Sequence, residues 1–274
     1  MKIEDLAYNS LIKEVELTPK PGLVDRNNNG SHRDMNIETF YNSSKAIKPF
    51  IRIFYECGKG ALHVEPKILF QKLRQIGKKC EKEMFLTTKG VNTHKGIIFS
   101  FAVICGAIGI LRAKYKNISF EQLQSEIQEI CKDLVKNDLL ESVKHEMSSG
   151  EKLYKETKQA GIRDEAENGY PIIFEQSLPF YLKQKELYNE EIALKLTLLF
   201  IMSRATDSNI FARGGLKSME FVKDRSKKIL EIRDIKNLDK ELLKFDKEMI
   251  SRNLTAGGSA DLLCLTWFLS KIDF

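Results

Sequence analysis

The segment "GIIFSFAVICGAIGIL" (96–111) is 16 uncharged residues held between Lys95 and Arg112, and its reading decides the fold. A helix that crosses a bilayer needs roughly 20 apolar residues. At this length the segment is expected to be a core helix instead, apolar all round because every side of it is covered. A second segment, "EEIALKLTLLFIM" (190–202), is apolar on nearly every side in the same way. Outward from these two, apolar residues recur at steps of three and four. In "ILFQKLRQIGKKCEKEMF" (68–85) they are Ile68, Leu69, Leu73, Ile76, Cys80 and Met84; in "EQLQSEIQEICKDLV" (121–135) they are Leu123, Ile127, Ile130 and Leu134. "SMEFVKDRSKKILEIRD" (218–234) and "DKELLKFDKEMI" (239–250) read as amphipathic surface helices. No alternating β-branched run bounded by turn residues reads as a strand. The fold class is therefore all-α, with roughly ten or more helices, and one domain over 1–274 is the simplest organisation.

Composition narrows the function. The 274 residues are 42% hydrophobic and 30% charged, outside the range of disorder. The net charge of +6 favours an anionic ligand, but it is spread among acids and so argues against nucleic acid. Lys and Arg are not interleaved with exposed aromatics, as a single-strand binder would need. The cysteines (Cys57, Cys80, Cys105, Cys131, Cys264) never approach C-x-x-C spacing and read as buried thiols in a reducing compartment. The first 17 residues carry acids throughout and lack the apolar run of a leader, so a cytoplasmic location without membrane attachment is expected.

Five polar, glycine-bearing segments interrupt the helices: "TPKPGLVDRNNNGSHRDM" (18–35), "TTKGVNTHKG" (87–96), "GIRDEAENG" (161–169), "RATDSNIFARGG" (204–215) and "NLTAGGSAD" (253–261). "GVNTHKG" opens the most apolar helix. Unpaired N–H groups and the positive end of the macrodipole at a helix start attract anions. His94 and Lys95 add donors there, and Asn92 or Thr93 can cap. The spacing is not that of a Walker A loop. "TAGGSAD" repeats the pattern, with Gly257 and Gly258 suited to an anion-binding nest, Ser259 to a cap and Asp261 to the first turn. Asp207 and Asn209 offer hard oxygen ligands for Mg²⁺, and Arg213 a fork for phosphate. Plain capping and turn formation also account for the same residues. His63 and His145 read as structural and Trp267 as core. The residues alone thus suggest phosphate-friendly, acid-bearing loops for a polyphosphate with Mg²⁺, without choosing the reaction.

Taken in order, "LTPKPGLVDRNNNGSHRDM", "LRQIGKKCEKEMFLTTKGVNTHKGIIFS", "GIRDEAENGYP", "TDSNIFARGG" and "NLTAGGSADLL" span residues 17–263, and the chain resembles the triphosphoribosyl-dephospho-CoA synthase family. The resemblance implies that the 2′-hydroxyl of 3′-dephospho-CoA attacks C1′ of the ribose of ATP. Adenine leaves and the triphosphate stays on the sugar. The product would be the prosthetic-group precursor for the acyl carrier protein of citrate lyase or malonate decarboxylase.

Under this resemblance, phosphate binding falls to Lys20, Arg33, Asn92, Thr93, Lys95, Arg163, Arg213, Gly257, Gly258 and Ser259. Mg²⁺ falls to Asp25, Asp34, Asp207 and Asp261, and acid–base chemistry to His32, Glu81, His94 and Glu165. Segment 18–35 becomes a substrate loop. Lys95→Ala and Asp207→Ala are expected to cost activity far more than stability. The chain departs from the family pattern at Asp164, Ser208, Thr255–Ala256 and Asn36, and the change at 164 bears on Arg163 and Glu165. Two rival readings are a Mg²⁺-dependent N-glycoside or nucleotide hydrolase and a nucleotide-binding module without turnover. An oligomer is compatible with all three.

Overall fold

Two helices meet backbone to backbone at the centre of the computed structural model: α2 (Ile37–Lys59) and α4 (Lys95–Lys114). A Cβ on Gly58 would fall inside the carbonyl of Gly106, and one on Gly109 inside that of Tyr55. Only glycine lets the axes approach so closely. The small residues of "CGAIGI" are therefore a crossing point as well as an apolar run. α2 also packs on α1 (Ile3–Glu16) and on α3 (Pro66–Thr87), and α3 and α5 (Phe120–Ile130) flank α4. By length and composition α4 could cross a membrane, yet its most apolar window is 78% buried inside the protein.

The structure describes residues 1–140, 148–232 and 234–273; His145 lies outside them. The second half runs through α6 (Ser149–Thr157), α7 (Ile162–Glu167), α8 (Leu178–Leu187), α9 (Glu190–Met202), α10 (Ser208–Leu230), α11 (Leu238–Ser251) and α12 (Gly257–Leu269). Short π-helical segments occupy Lys136–Leu140 and Ile172–Ser177, and a 3₁₀ turn Ile235–Asn237. Among the described residues there is no strand. α9, the second all-apolar segment, packs on α8, α10 and α12, and α12 lies against α1. One continuous apolar core draws on all twelve α-helices.

Local differences from the sequence expectation have local causes. α5 stops at Ile130, because Asp133 takes a left-handed φ of 59°; Leu134 is still buried, but from beyond the helix. α10 breaks at Gly215, whose φ of 65° is not helical. The five thiols are free; four are buried and Cys57 is half-buried. Trp267 is core, as expected, and its indole N–H donates to Glu190 at 3.1 Å. His63 is exposed.

Candidate active site

A cavity of about 510 Å³ opens between the two halves, and five helices start at its wall: α4, α6, α7, α10 and α12. Each presents the positive end of its dipole. The N–H groups of Gly96, Ile97, Gly257 and Gly258 donate to no described atom of the protein. Lys20, Arg74, Lys78, Lys95 and Arg163 add positive charge to the same wall, and Phe40, Phe70 and Phe99 add aromatic surface.

The starts of α4 and α12, two of the apolar helices, touch. Gly96, in the first turn of α4, is in contact with the Asp261 carboxylate on α12; a Cβ there would overlap Oδ2. Asp261 faces the cavity and makes no hydrogen bond or ion pair with a described residue. Burial, then the carboxylates of Glu14 and Asp207, push its pKa well above the usual carboxylate range. Glu14 is ion-paired to Lys20, whose side chain is only 1% exposed. Together these place the buried Glu14–Lys20 ion pair and the half-buried Asp261 at one end of the cavity.

Several expected site residues line this cavity: Lys20, His32, Glu81, Asn92, Thr93, His94, Lys95, Arg163, Gly257, Gly258 and Asp261. Asn92 closes the turn that leads into α4, its Oδ1 accepting from Lys95 N at 3.2 Å, while the N-cap position itself is His94. Lys95 is an exposed cation 3.5 Å from Glu81. Arg163 reaches Asp138 at 3.2 Å, and Arg74 binds the same carboxylate at 2.5 Å. His32 donates or accepts at Thr255 Oγ1 through Nε2 (3.0 Å) and meets Arg213 at Nδ1 (3.4 Å). Burial first, and Arg213 second, hold its pKa below the ordinary imidazole value.

The remaining expected residues stand outside the cavity wall, and the structure shows what they hold. Asp207 caps α10 by accepting from Asn209 N (2.9 Å) and Ile210 N (3.4 Å), and it clamps α12 by accepting from Ser259 N (2.8 Å) and Ser259 Oγ (3.0 Å). Both of its oxygens are occupied, and Ser259 serves the clamp. Asp25 accepts from Lys20 N, Asn27 N and Asn28 N, so it shapes its own loop. Arg213 ties that loop to the 253–255 turn through Ser31 O at 2.7 Å and Asn253 Oδ1 at 3.1 Å. Arg33 is exposed, and Asp34 is an exposed carboxylate 3.8 Å from His32. Glu165 accepts from Ile172 N at 3.2 Å away from the wall, and burial raises its pKa to about 7. The four expected metal acids are not gathered: among the described residues no three His, Cys, Asp or Glu side chains form a metal-binding group.

Sequence reading missed Glu14, Ser43, Arg74, Lys78 and Asp138. Glu14 carried a signal, since it falls on the buried stripe of α1 with Ala7, Leu11 and Val15, where a charge needs a partner. Arg74, Lys78 and Glu81 share one face of α3 at helical spacing, beside its core stripe. Ser43 and Asp138 carried none.

The chain is 41% identical over 271 residues to the 2-(5''-triphosphoribosyl)-3'-dephosphocoenzyme-A synthase of Pectobacterium atrosepticum, covering 98% of this chain and 88% of the relative. No solved structure matches it. Residues 1–273 match the ATP:dephospho-CoA triphosphoribosyl transferase family, and the chain belongs to that family.

Proposed function

We propose that the cavity transfers the triphosphoribosyl group of ATP to the 2′-hydroxyl of 3′-dephospho-CoA. The bond from C1′ to adenine breaks, a bond from C1′ to the acceptor oxygen forms, and the hydroxyl proton is balanced by the proton that adenine gains. The observation that carries the reading is the ring of five helix starts around one cavity, with unpaired N–H groups on α4 and α12. Such ends bind phosphate oxygens without any need for a Walker loop. Lys20, Lys95 and Arg163 supply the charge that a triphosphate and a pyrophosphate demand.

Departure of adenine builds positive charge at C1′, which the cavity carboxylates stabilise. Glu81, partly accessible and paired to Lys95, is the group to take the proton of the 2′-hydroxyl. His32 has both ring nitrogens engaged and holds the loop edge. Mg²⁺ is the expected companion of ATP, and it takes oxygen ligands from one or two carboxylates plus substrate phosphates. Asp261 would hold the ion, because its side chain faces the cavity uncommitted whereas Asp25 and Asp207 are filled, and the ion's charge would favour the ionised form that burial disfavours. The ion would offset triphosphate charge. The product then serves as prosthetic-group precursor for an acyl carrier protein, and the five free thiols fit work in the cytoplasm.

Adenine release from ATP with Mg²⁺, measured with and without 3′-dephospho-CoA, tests the proposal. Release that requires the acceptor, with the acceptor gaining a triphosphoribosyl mass, supports the transfer. Release without acceptor means hydrolysis, and binding without release means a nucleotide-binding module.

A further inference from the structure

His94 is the N-cap residue of α4 and is buried against the cavity wall, yet one of its two ring nitrogens has no partner among the described residues. Nδ1 lies 2.6 Å from Ser43 Oγ, on α2. Ser43 is fully buried, and its Oγ accepts a hydrogen bond from Thr93 Oγ1 at 2.7 Å. A serine hydroxyl has one proton to give. Thr93 supplies the proton of its own bond, and the buried Ser43 hydroxyl has no other acceptor among the described residues, so its proton goes to the imidazole. Nδ1 is thus an acceptor, and the neutral ring carries its proton on Nε2. Phe40 packs edge-on to the imidazole at 5.0 Å and limits its rotation.

Nε2 is buried and has no partner among the described residues. A buried donor left unpaired is destabilising, so its persistence needs a reason. Burial, and then the neighbouring charge of Lys20, push the pKa down to about 3, so the ring stays uncharged near neutrality. With the proton already on Nε2 and Nδ1 taken by Ser43, this imidazole is no general base. The cavity wall around it is rich in cations and N–H donors, and none of its carboxylates bonds Nε2, so the missing acceptor is assigned to the substrate.

We infer that the Thr93–Ser43–His94 chain holds His94 as a neutral Nε2–H donor for a phosphate oxygen of the bound nucleoside triphosphate, with Ser43 as the positioning residue. The identity of the substrate rests on the function proposed above; the tautomer and the vacant donor do not.

The test is nitrogen-15 NMR of histidine-labelled full-length protein. In the free protein the His94 signals should be those of an Nε2–H tautomer that does not titrate between about pH 5 and pH 9. ATP and inorganic tripolyphosphate should each shift the Nε2 proton downfield, while adenosine leaves it in place. In Ser43→Ala the two ring-nitrogen shifts should move toward each other as the tautomers mix. His94→Gln, whose amide nitrogen reaches the Nε2 position, should keep kcat within about tenfold of the parent, whereas His94→Asn should lose about 100-fold, as for removal of one anion-stabilising donor. An Nδ1–H tautomer, titration inside that window, silence toward tripolyphosphate under saturation, or equal losses in the Gln and Asn variants would each overturn the inference. Adenine release with a silent Nε2 proton would remove this inference alone. A responding proton without adenine release would remove the proposed reaction and leave the donor.

Discussion

Asp207 and Lys95 show how burial sorts two residues that look alike in sequence. Asp207 receives four hydrogen bonds and joins the starts of α10 and α12. Asp207→Ala removes an N-cap, at about 1 kcal/mol, and strands the buried donors of Ser259, at about 1–3 kcal/mol. A loss of about 2–4 kcal/mol in urea unfolding is therefore expected, which reverses the sequence expectation that stability would be spared; a loss under about 0.5 kcal/mol would return Asp207 to a purely chemical role. Lys95 is 56% exposed and pairs with Glu81 only at 3.5 Å. Lys95→Ala should leave stability within about 0.5 kcal/mol and raise the KM for ATP about tenfold or more. Glu165 tests the electrostatics. Its folded pKa, about 7, lies above the usual carboxylate value, so the folded state binds the proton more tightly. Its penalty on folding is absent at acid pH, grows as pH rises through the carboxylate range, and is complete above about pH 7. Glu165→Gln should thus stabilise the protein at pH 8, by about 2–3 kcal/mol, and hardly at pH 4, as read by unfolding at the two values.

At the scale of elements, glycine decides how helices approach. Gly58 and Gly106 put α2 and α4 in backbone contact, and Gly106→Ala should cost at least about 2 kcal/mol because the added methyl meets the Leu73 side chain in a filled core. Gly96 serves the site instead. Its obstacle is the end of the Asp261 side chain, which can move, so Gly96→Ala should fold with a near-parental melting temperature while adenine release falls about tenfold or more. An equal fall in both quantities would make Gly96 a packing residue. The irregular 18–35 loop follows the same division. Asp25 shapes it, Asp246 on α11 receives Gly22 N and Asn28 Nδ2 at 2.9 Å each, and Arg213 tethers its far end. Only Lys20, Leu23, Val24, His32 and Met35 of that loop reach the cavity.

For the whole molecule, the cavity is assembled from α1, α2, α3 and α4 on one side and the starts of α6, α7, α10 and α12 on the other, so a polyphosphate bound there bridges both. Saturation with ATP at about 100 times its Kd should stabilise the fold by about 2.7 kcal/mol, a rise of several degrees in melting temperature. Failure of the melting temperature to move under saturation would mean that the ligand sits elsewhere. The sequence by itself determined the all-α class, the core position of segments 96–111 and 190–202, and the motif segments from which Lys20, Glu81, His94, Lys95, Gly257 and Asp261 come. These are legible because helical periodicity and helix-start chemistry are local, encoded within a few turns of chain. Which of the motif acids are spent on clamps, as Asp207 and Asp25 are, and which stay uncommitted, as Asp261 does, was decided only by the tertiary structure. So was the union of Ser43 with His94, 51 positions apart, and of Glu14 with the same cavity. The physical reason is that burial and hydrogen-bond partners belong to pairs of elements brought together by packing, and no single segment carries that information.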